Sequence, residues 1–183
     1  PMDTFSTGRA LLDAKAILAR TKLTLNMTYA EFGAGMLGHF VFPGAAMVGE
    51  RGRVYAVDIL KSVLESVASM AAMLGVSHVP TVWGNMEKPH GVGIASATVD
   101  LVSMVNVAEI LTRAKVPLEE AARVLRPGGK LLVVGWDPKA NIGPALQTQV
   151  GAQDVADEAG KAGFKLLEKF QAGRYHWGII FHK

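Results

Sequence analysis

Apolar positions recur at two different spacings along this chain, and each change of spacing marks a new element. Over residues 8–20, Leu11, Leu12, Ala16, Ile17 and Leu18 fall on one helical stripe, which predicts an amphipathic helix ahead of the first strand. A connector over 23–28 leads to a short strand at 29–32. A helix is then expected over 37–48, with an irregular start or a kink because Pro43 and Gly44 interrupt it. Residues 54–57 read as a second strand ending at Asp58, residues 61–74 as a helix, and residues 78–83 as a third strand. Gly, Pro and small residues over 87–97 predict a loop. The nearly unbroken apolar run at 99–105 is that of a central strand covered on both faces. A helix at 117–125 is expected to stop at Arg126-Pro127-Gly128-Gly129, before a fifth strand at 131–135 and a helix at 152–162. Two last strands, 164–170 and 175–181, joined at Ala172 and Gly173, make an antiparallel hairpin. Strands alternating with helices predict an α/β fold.

Composition narrows this picture. A chain of 183 residues suits one compact domain, with residues 1–28 as helix and connector and 29–183 as the core. Mean hydropathy is +0.25, yet the apolar runs are far too short to cross a bilayer, and Pro43 and Gly44 break the longest of them. Zero cysteines exclude disulfides, thiolate metal sites and cysteine nucleophiles, and no metal is expected. With no pattern of an export signal either, the cytoplasm is the expected compartment. The net charge of +3 comes from basic residues scattered singly or in pairs, such as Arg51 with Arg53 and Arg113 with Lys115, so a solvated face is expected and nucleic acid is not indicated.

The candidate chemistry lies in 29–58. Gly33, Gly35 and Gly38 follow the first strand as G-x-G-x-x-G, and Asp58 stands twenty residues beyond, at the end of the second strand. Taken literally this is a dinucleotide fingerprint, which implies an NAD-linked oxidoreductase. Two features favour S-adenosylmethionine instead. Glu31 occupies a position where dinucleotide-binding strands keep an apolar residue, and an acid there holds the loop or, through water, the cofactor's ammonium group. The closing hairpin also implies seven strands with one antiparallel, rather than six parallel.

Residues 29–38, 54–58, 84–86 and 100–106, and above all Ala121-Ala-Arg-Val-Leu-Arg-Pro-Gly-Gly-Lys-Leu-Leu-Val-Val-Gly135, resemble the class I S-adenosylmethionine-dependent methyltransferases. The resemblance extends from Leu12 to Lys183. By appearance it is nearest to the small single-domain type of ubiquinone and menaquinone biosynthesis. It implies a Rossmann-like seven-stranded sheet of order 3-2-1-4-5-7-6, strand 7 antiparallel, with helices on both faces and the cofactor across the C-terminal ends of strands 1 to 4. It also implies roles for single residues. Gly33, Ala34, Gly35 and Gly38 form the cofactor loop, Asp58 takes both ribose hydroxyls, Ile59 and Met86 flank the adenine, Asn85 accepts from its exocyclic amine, and Asn106 meets the methionine moiety or the substrate. Two positions depart from the family's pattern: Leu37 displaces the third glycine to position 38, and Asn85 stands where an Asp is common.

Methyl transfer from a sulfonium requires in-line alignment more than a catalytic side chain, so no obligatory catalytic residue is expected. His176, Asp137 and His39 are the candidates for a base or for acceptor contacts. No Pro-Pro-aromatic motif follows the fourth strand, which disfavours amino methylation of adenine, cytosine or glutamine. The expected acceptor is a small molecule, and the cleft is expected to be open or lidded only by the N-terminal helix and residues 138–150, which leaves a small acceptor to be enclosed by a partner or by the second subunit of a homodimer. A protein or RNA acceptor, and a noncatalytic S-adenosylmethionine-binding scaffold, are the alternatives.

Overall fold

The computed structural model describes residues 11–140 and 150–183. In chain order these form α1 (Ala14–Arg20), β1 (Thr28–Phe32), α2 (Val41–Val48), β2 (Arg53–Asp58), α3 (Lys61–Met73), β3 (Thr81–Trp83), β4 (Val99–Val105), α4 (Ala108–Arg113), α5 (Val116–Val124), β5 (Leu125–Trp136), α6 (Ala152–Lys161), β6 (Lys165–Gly173) and β7 (His176–His182). All seven strands join one sheet of order β3-β2-β1-β4-β5-β7-β6. β1 to β5 pair in parallel, and β7 runs antiparallel to both β5 and β6. This is the order and polarity that the resemblance to class I methyltransferases implies.

Successive side chains of a strand point to opposite faces, and here both faces are covered. Tyr29, Leu101, Leu132 and Ile180 point to one face, where α1, α2 and α3 contribute Leu18, Ala45 and Val67. Ala30, Val102, Val133 and Ile179 point to the other, with Leu111, Leu118 and Val155 from α4, α5 and α6. Two-sided burial explains why β4 and β5 read as continuous apolar runs rather than as alternating ones.

Several boundaries differ from the expectation. α1 starts at Ala14, where the Asp13 side chain caps the helix by accepting from the N–H of Ala16 at 3.0 Å; residues 8–10, placed in the same helix from sequence, lie outside the described residues. α2 begins at Val41, not Leu37. Pro43 falls in its first turn, where backbone N–H groups have no intrahelical acceptor, so it starts the helix rather than kinking it. Gly44 packs directly on Tyr29: a Cβ there would lie 2.5 Å from the phenol ring. The short helix α4 was not foreseen. α5 ends at Val124, and the expected turn at 126–129 instead belongs to β5, whose pairing with β4 shifts register opposite Val99 to Leu101. The hairpin turns at Arg174 and Tyr175, because β6 runs on through Gly173.

Candidate functional site

Five parallel strands end at one edge of the sheet, and the first two carry the glycine loop and Asp58 to that rim. Gly33, Gly35 and Gly38 all have positive φ, at 89°, 68° and 55°, a region that side chains with a Cβ rarely enter. The N–H groups of Gly33 and Ala34 both donate to the carbonyl of Val57, at 2.9 and 3.0 Å, so they tie the loop to β2. Ala34 turns its methyl into the core. Gly35 is exposed, and a Cβ there would meet nothing within 4 Å. Gly38 closes the loop by donating to the carbonyl of Gly35 at 3.1 Å, and it lies against the ring of Phe42. Leu37 is 73% exposed, so the inserted residue projects outward while the loop keeps its turn.

Asp58 is half-buried at the end of β2. Its Oδ1 accepts from the N–H of Leu60 at 3.0 Å and its Oδ2 from the N–H of Gly35 at 3.4 Å. A carboxylate has about four acceptor positions, so lone pairs remain for two hydroxyls. Asp58 lines a cavity of about 200 Å³ together with Gly33, Ile59, Asn85 and Met86. Five of the residues singled out from sequence therefore share one hollow. Phe32, Val107 and Ile110 also line it; as apolar residues beside strand ends they carried no signal distinct from core packing. A Cβ on Gly33 would fill part of this space, 3.4 Å from Val107 Cγ1 and 4.0 Å from Met86 Cε. Asn85 Oδ1 accepts from the N–H of Glu87 at 2.9 Å, an Asx turn that fixes the side chain at the cavity wall.

Glu31 lies beneath this loop, 2% exposed, on the face covered by α1 to α3. The hydroxyls of Tyr29 and Ser103 both donate to its Oε2 and lie 2.6 Å from each other. Burial pushes its carboxyl up to about 7. The side chain is thus engaged in the core beneath the loop, and both hydroxyls that hold it come from its own face of the sheet.

The remaining candidates are spread along the rim. Asn106, just past β4, is exposed with φ 58° and donates its N–H to the carbonyl of Val134 at 2.8 Å. Asn tolerates this left-handed conformation better than most residues, and here it ends the strand. His39 Nε2 donates to the carbonyl of Leu12 at 3.0 Å, tying the glycine loop to the start of α1. Asp137 follows β5, with Oδ1 accepting from the N–H of Lys139 at 2.9 Å. His176 opens β7 and is buried against Trp136, its ladder partner. Asp137 and His176 are therefore neighbours at the β5–β7 end of the rim, whereas His39 stands apart beside α1. Of the expected lid over 138–150, residues 141–149 lie outside the described residues. Among the described residues no group of three His, Asp or Glu side chains is placed to hold a metal, and no helix is long and apolar enough to cross a membrane.

A sequence model of the methyltransferase domain matches residues 30–133, more than half of the chain. The chain belongs to this methyltransferase family. The match opens at β1 and closes within β5, so it contains the glycine loop, Asp58, the cavity and the rim of β4. Among solved structures, this methyltransferase is similar to a SAM-dependent methyltransferase from Aquifex aeolicus, with a TM-score of 0.88 and 25% identity over 98% of this chain and 94% of that one. A geranyl diphosphate methyltransferase in complex with SAM shares the fold, with a TM-score of 0.74 and 14% identity over 92% and 83% of the two chains. So does a complex between the Haloferax volcanii Trm112 methyltransferase activator and a methyltransferase, with a TM-score of 0.74 and 15% identity over 92% and 87%. No curated protein matches the sequence.

Proposed function

We propose that this methyltransferase uses S-adenosylmethionine to methylate a small molecule, with the adenosyl end of the cofactor in the cavity between β1, β2 and β3. The observation that carries this reading is the convergence of Gly33, Asp58, Ile59, Asn85 and Met86 on that one hollow. Its size suits the fit. Pockets for whole ligands run to about 300–1,000 Å³, so about 200 Å³ takes the adenine and part of the ribose, while the rest of the cofactor lies along the open loop at Gly35. Asp58, held in orientation by Leu60 and Gly35, receives the ribose hydroxyls. Ile59, Met86, Val107 and Ile110 offer apolar walls to the base, and the side-chain amide of Asn85 faces its polar edge.

S-adenosylmethionine supplies an already activated methyl group, so the protein's task is to align the acceptor and exclude water. The glycine loop and Asp58 fix the position from which the methyl group is presented. The rim of β4, β5 and β7 then remains for the acceptor. The literal dinucleotide reading of the glycines is set aside by membership of a methyltransferase family.

Calorimetric titration with S-adenosylmethionine and S-adenosylhomocysteine tests the assignment. Both are expected to bind, and Asp58→Ala is expected to weaken them on the order of 10- to 100-fold, the effect of losing a charge-assisted hydrogen bond of about 1.5–3 kcal/mol. If wild type binds neither while NADH binds saturably, the reading is wrong. If both bind but no acceptor in a cell extract takes up labelled methyl, a noncatalytic binding role replaces it.

A further inference from the structure

Basic residues that are scattered along the sequence meet at the end of the sheet opposite the cofactor cavity. There the starts of β1 and β2 and the segments that lead into β3 and β4 enclose a hollow of about 830 Å³. Arg51, Arg53 and Tyr55 line it, with hydroxyls from Thr28, Ser77 and Thr98. Both guanidiniums are exposed, and neither pairs with a carboxylate among the described residues. The Arg53 guanidinium reaches only the Tyr55 hydroxyl, to which Nη1 donates at 3.4 Å. Asp100, at the same end of the sheet, is taken up by Arg126 and by the N–H of Thr28. Positive charge is crowded here: burial and the nearby charge of Lys22 hold the Lys130 ammonium below its usual value.

We propose that this hollow is a second ligand site, and that its ligand is a small phosphorylated polyol such as a sugar phosphate. Guanidinium groups present planar forks of donors that match phosphate oxygens, and a phosphomonoester carries about −1.5 to −2 charges at neutral pH. Glu50 also lines the hollow. Its carboxylate repels a bare anion but accepts from a hydroxyl, and the hydroxyls of Thr28, Tyr55 and Ser77 each donate or accept. The lining therefore suits a polyol that carries phosphate better than it suits phosphate alone. Lys130, Lys183 and Arg126 are engaged by the carbonyls of Thr21 and Leu125 and by Asp100. Two free guanidiniums thus serve one phosphoryl group, whereas a nucleic acid presents a run of phosphates and needs a stripe of free cations. The size agrees with a whole small ligand, for which pockets run to about 300–1,000 Å³. This site stands independently of the cofactor reading. Arg53 opens β2 and Asp58 closes it, so a strand rise of about 3.3 Å per residue sets the two sites roughly 16 Å apart.

Ribose 5-phosphate is the probe, titrated calorimetrically into the full chain with and without saturating S-adenosylhomocysteine. Ribose, inorganic phosphate, an oligouridylate and vesicles of phosphatidylglycerol are run in parallel. Ribose 5-phosphate is expected to bind saturably, one per chain, with the same affinity whether or not S-adenosylhomocysteine is present. Ribose and inorganic phosphate should each bind at least about tenfold more weakly. Arg51→Ala and Arg53→Ala should each weaken ribose 5-phosphate about tenfold or more, the effect of losing a charge-assisted hydrogen bond. Lys115→Ala, which removes an exposed charge at the start of α5, should leave its affinity unchanged. If either alanine variant fails to fold, Arg51→Lys and Arg53→Lys take its place, and the comparison with ribose and phosphate in wild type decides without any variant. The proposal is overturned if ribose 5-phosphate does not bind, if ribose or phosphate alone binds as tightly, or if S-adenosylhomocysteine displaces it. It is overturned equally if the arginine variants bind it like wild type, or if the oligouridylate or the vesicles bind more tightly through the same two arginines, which would make this end of the sheet a docking face for a polyanion.

Discussion

Glu31 and Glu120 are both carboxylates closed into the interior, but only Glu120 has a cation beside it, the guanidinium of Arg123 at 2.9 Å. Glu31 relies on the hydroxyls of Tyr29 and Ser103, and burial raises its carboxyl from 4.5 to about 7. The folded state therefore binds the proton more tightly than the unfolded chain does. The stability contributed by this proton is fully present below pH 4.5 and is lost as pH rises through about 7. The loss amounts to about 3 kcal/mol for a shift of that size. Urea unfolding at pH 5 and pH 8 should show this decline in wild type, and Glu31→Gln, which cannot ionise, should flatten it. Parallel pH profiles for the two proteins would rule the account out. The position of Glu31 was legible from its place before Gly33. Its environment was not, because Ser103 lies 72 residues further along the chain and meets it only through the β1–β4 register. The burial of His176 escaped notice for the same reason: a histidine at the start of a strand looks like a surface residue until a neighbouring strand sets Trp136 against it.

At the scale of elements, α5 holds down the loop that forms one wall of the cavity. Glu120 accepts from the N–H groups of His90 and Val92, at 2.8 and 3.2 Å, and Arg123 donates to the carbonyls of Val92 and Ile94, at 2.9 and 2.8 Å. Burial alone would raise the Glu120 carboxyl, but the hydrogen bonds from Arg123, His90 and Val92 outweigh it and hold the group below its usual value. Removing one member of a buried pair strands the other and costs roughly 3–5 kcal/mol. Arg123→Ala is accordingly expected to lower stability by about 3 kcal/mol and, by loosening the segment that carries Asn85 and Met86, to weaken S-adenosylhomocysteine binding as well. Chemical denaturation and calorimetry on the same variant check both effects, and an unchanged affinity would show that the loop is held by other means. The elements that sequence located least well are those without a full period of their own. The helix α4, at six residues, is too short to display a helical stripe. The Arg126-Pro127-Gly128-Gly129 stretch has the composition of a turn, yet with Gly128 at φ 77° it is absorbed as an irregularity of β5.

Across the whole molecule, topology was the most legible property. Strand order was implied by the family resemblance that the motifs of β1, β2, β4 and β5 carry, and two-faced burial left long apolar runs that are hard to mistake. Less legible was how the N-terminal segment closes on the rest. Arg20 pairs with Glu168 at 2.6 Å and lies over Phe170, Lys130 donates to the carbonyl of Thr21 at 2.7 Å, and a Cβ on Gly173 would meet the carbonyl oxygen of Leu11 at 2.2 Å. These contacts join residues more than a hundred positions apart, and no local pattern encodes them. The antiparallel strand β7 also bears on how the protein is made. Chains emerge from the ribosome in sequence order and begin to fold as they appear. β6 is made before β7, yet in the sheet it touches only β7. Until His176–His182 has emerged, β6 has no ladder to join, and the edge of β5 from Lys130 to Trp136 stands open. A chain truncated after Tyr175 should therefore be cut rapidly by protease within β6 and be captured by chaperones, whereas the chain through Lys183 should resist both. Equal resistance of the two chains would mean that the sheet's far edge assembles by another route.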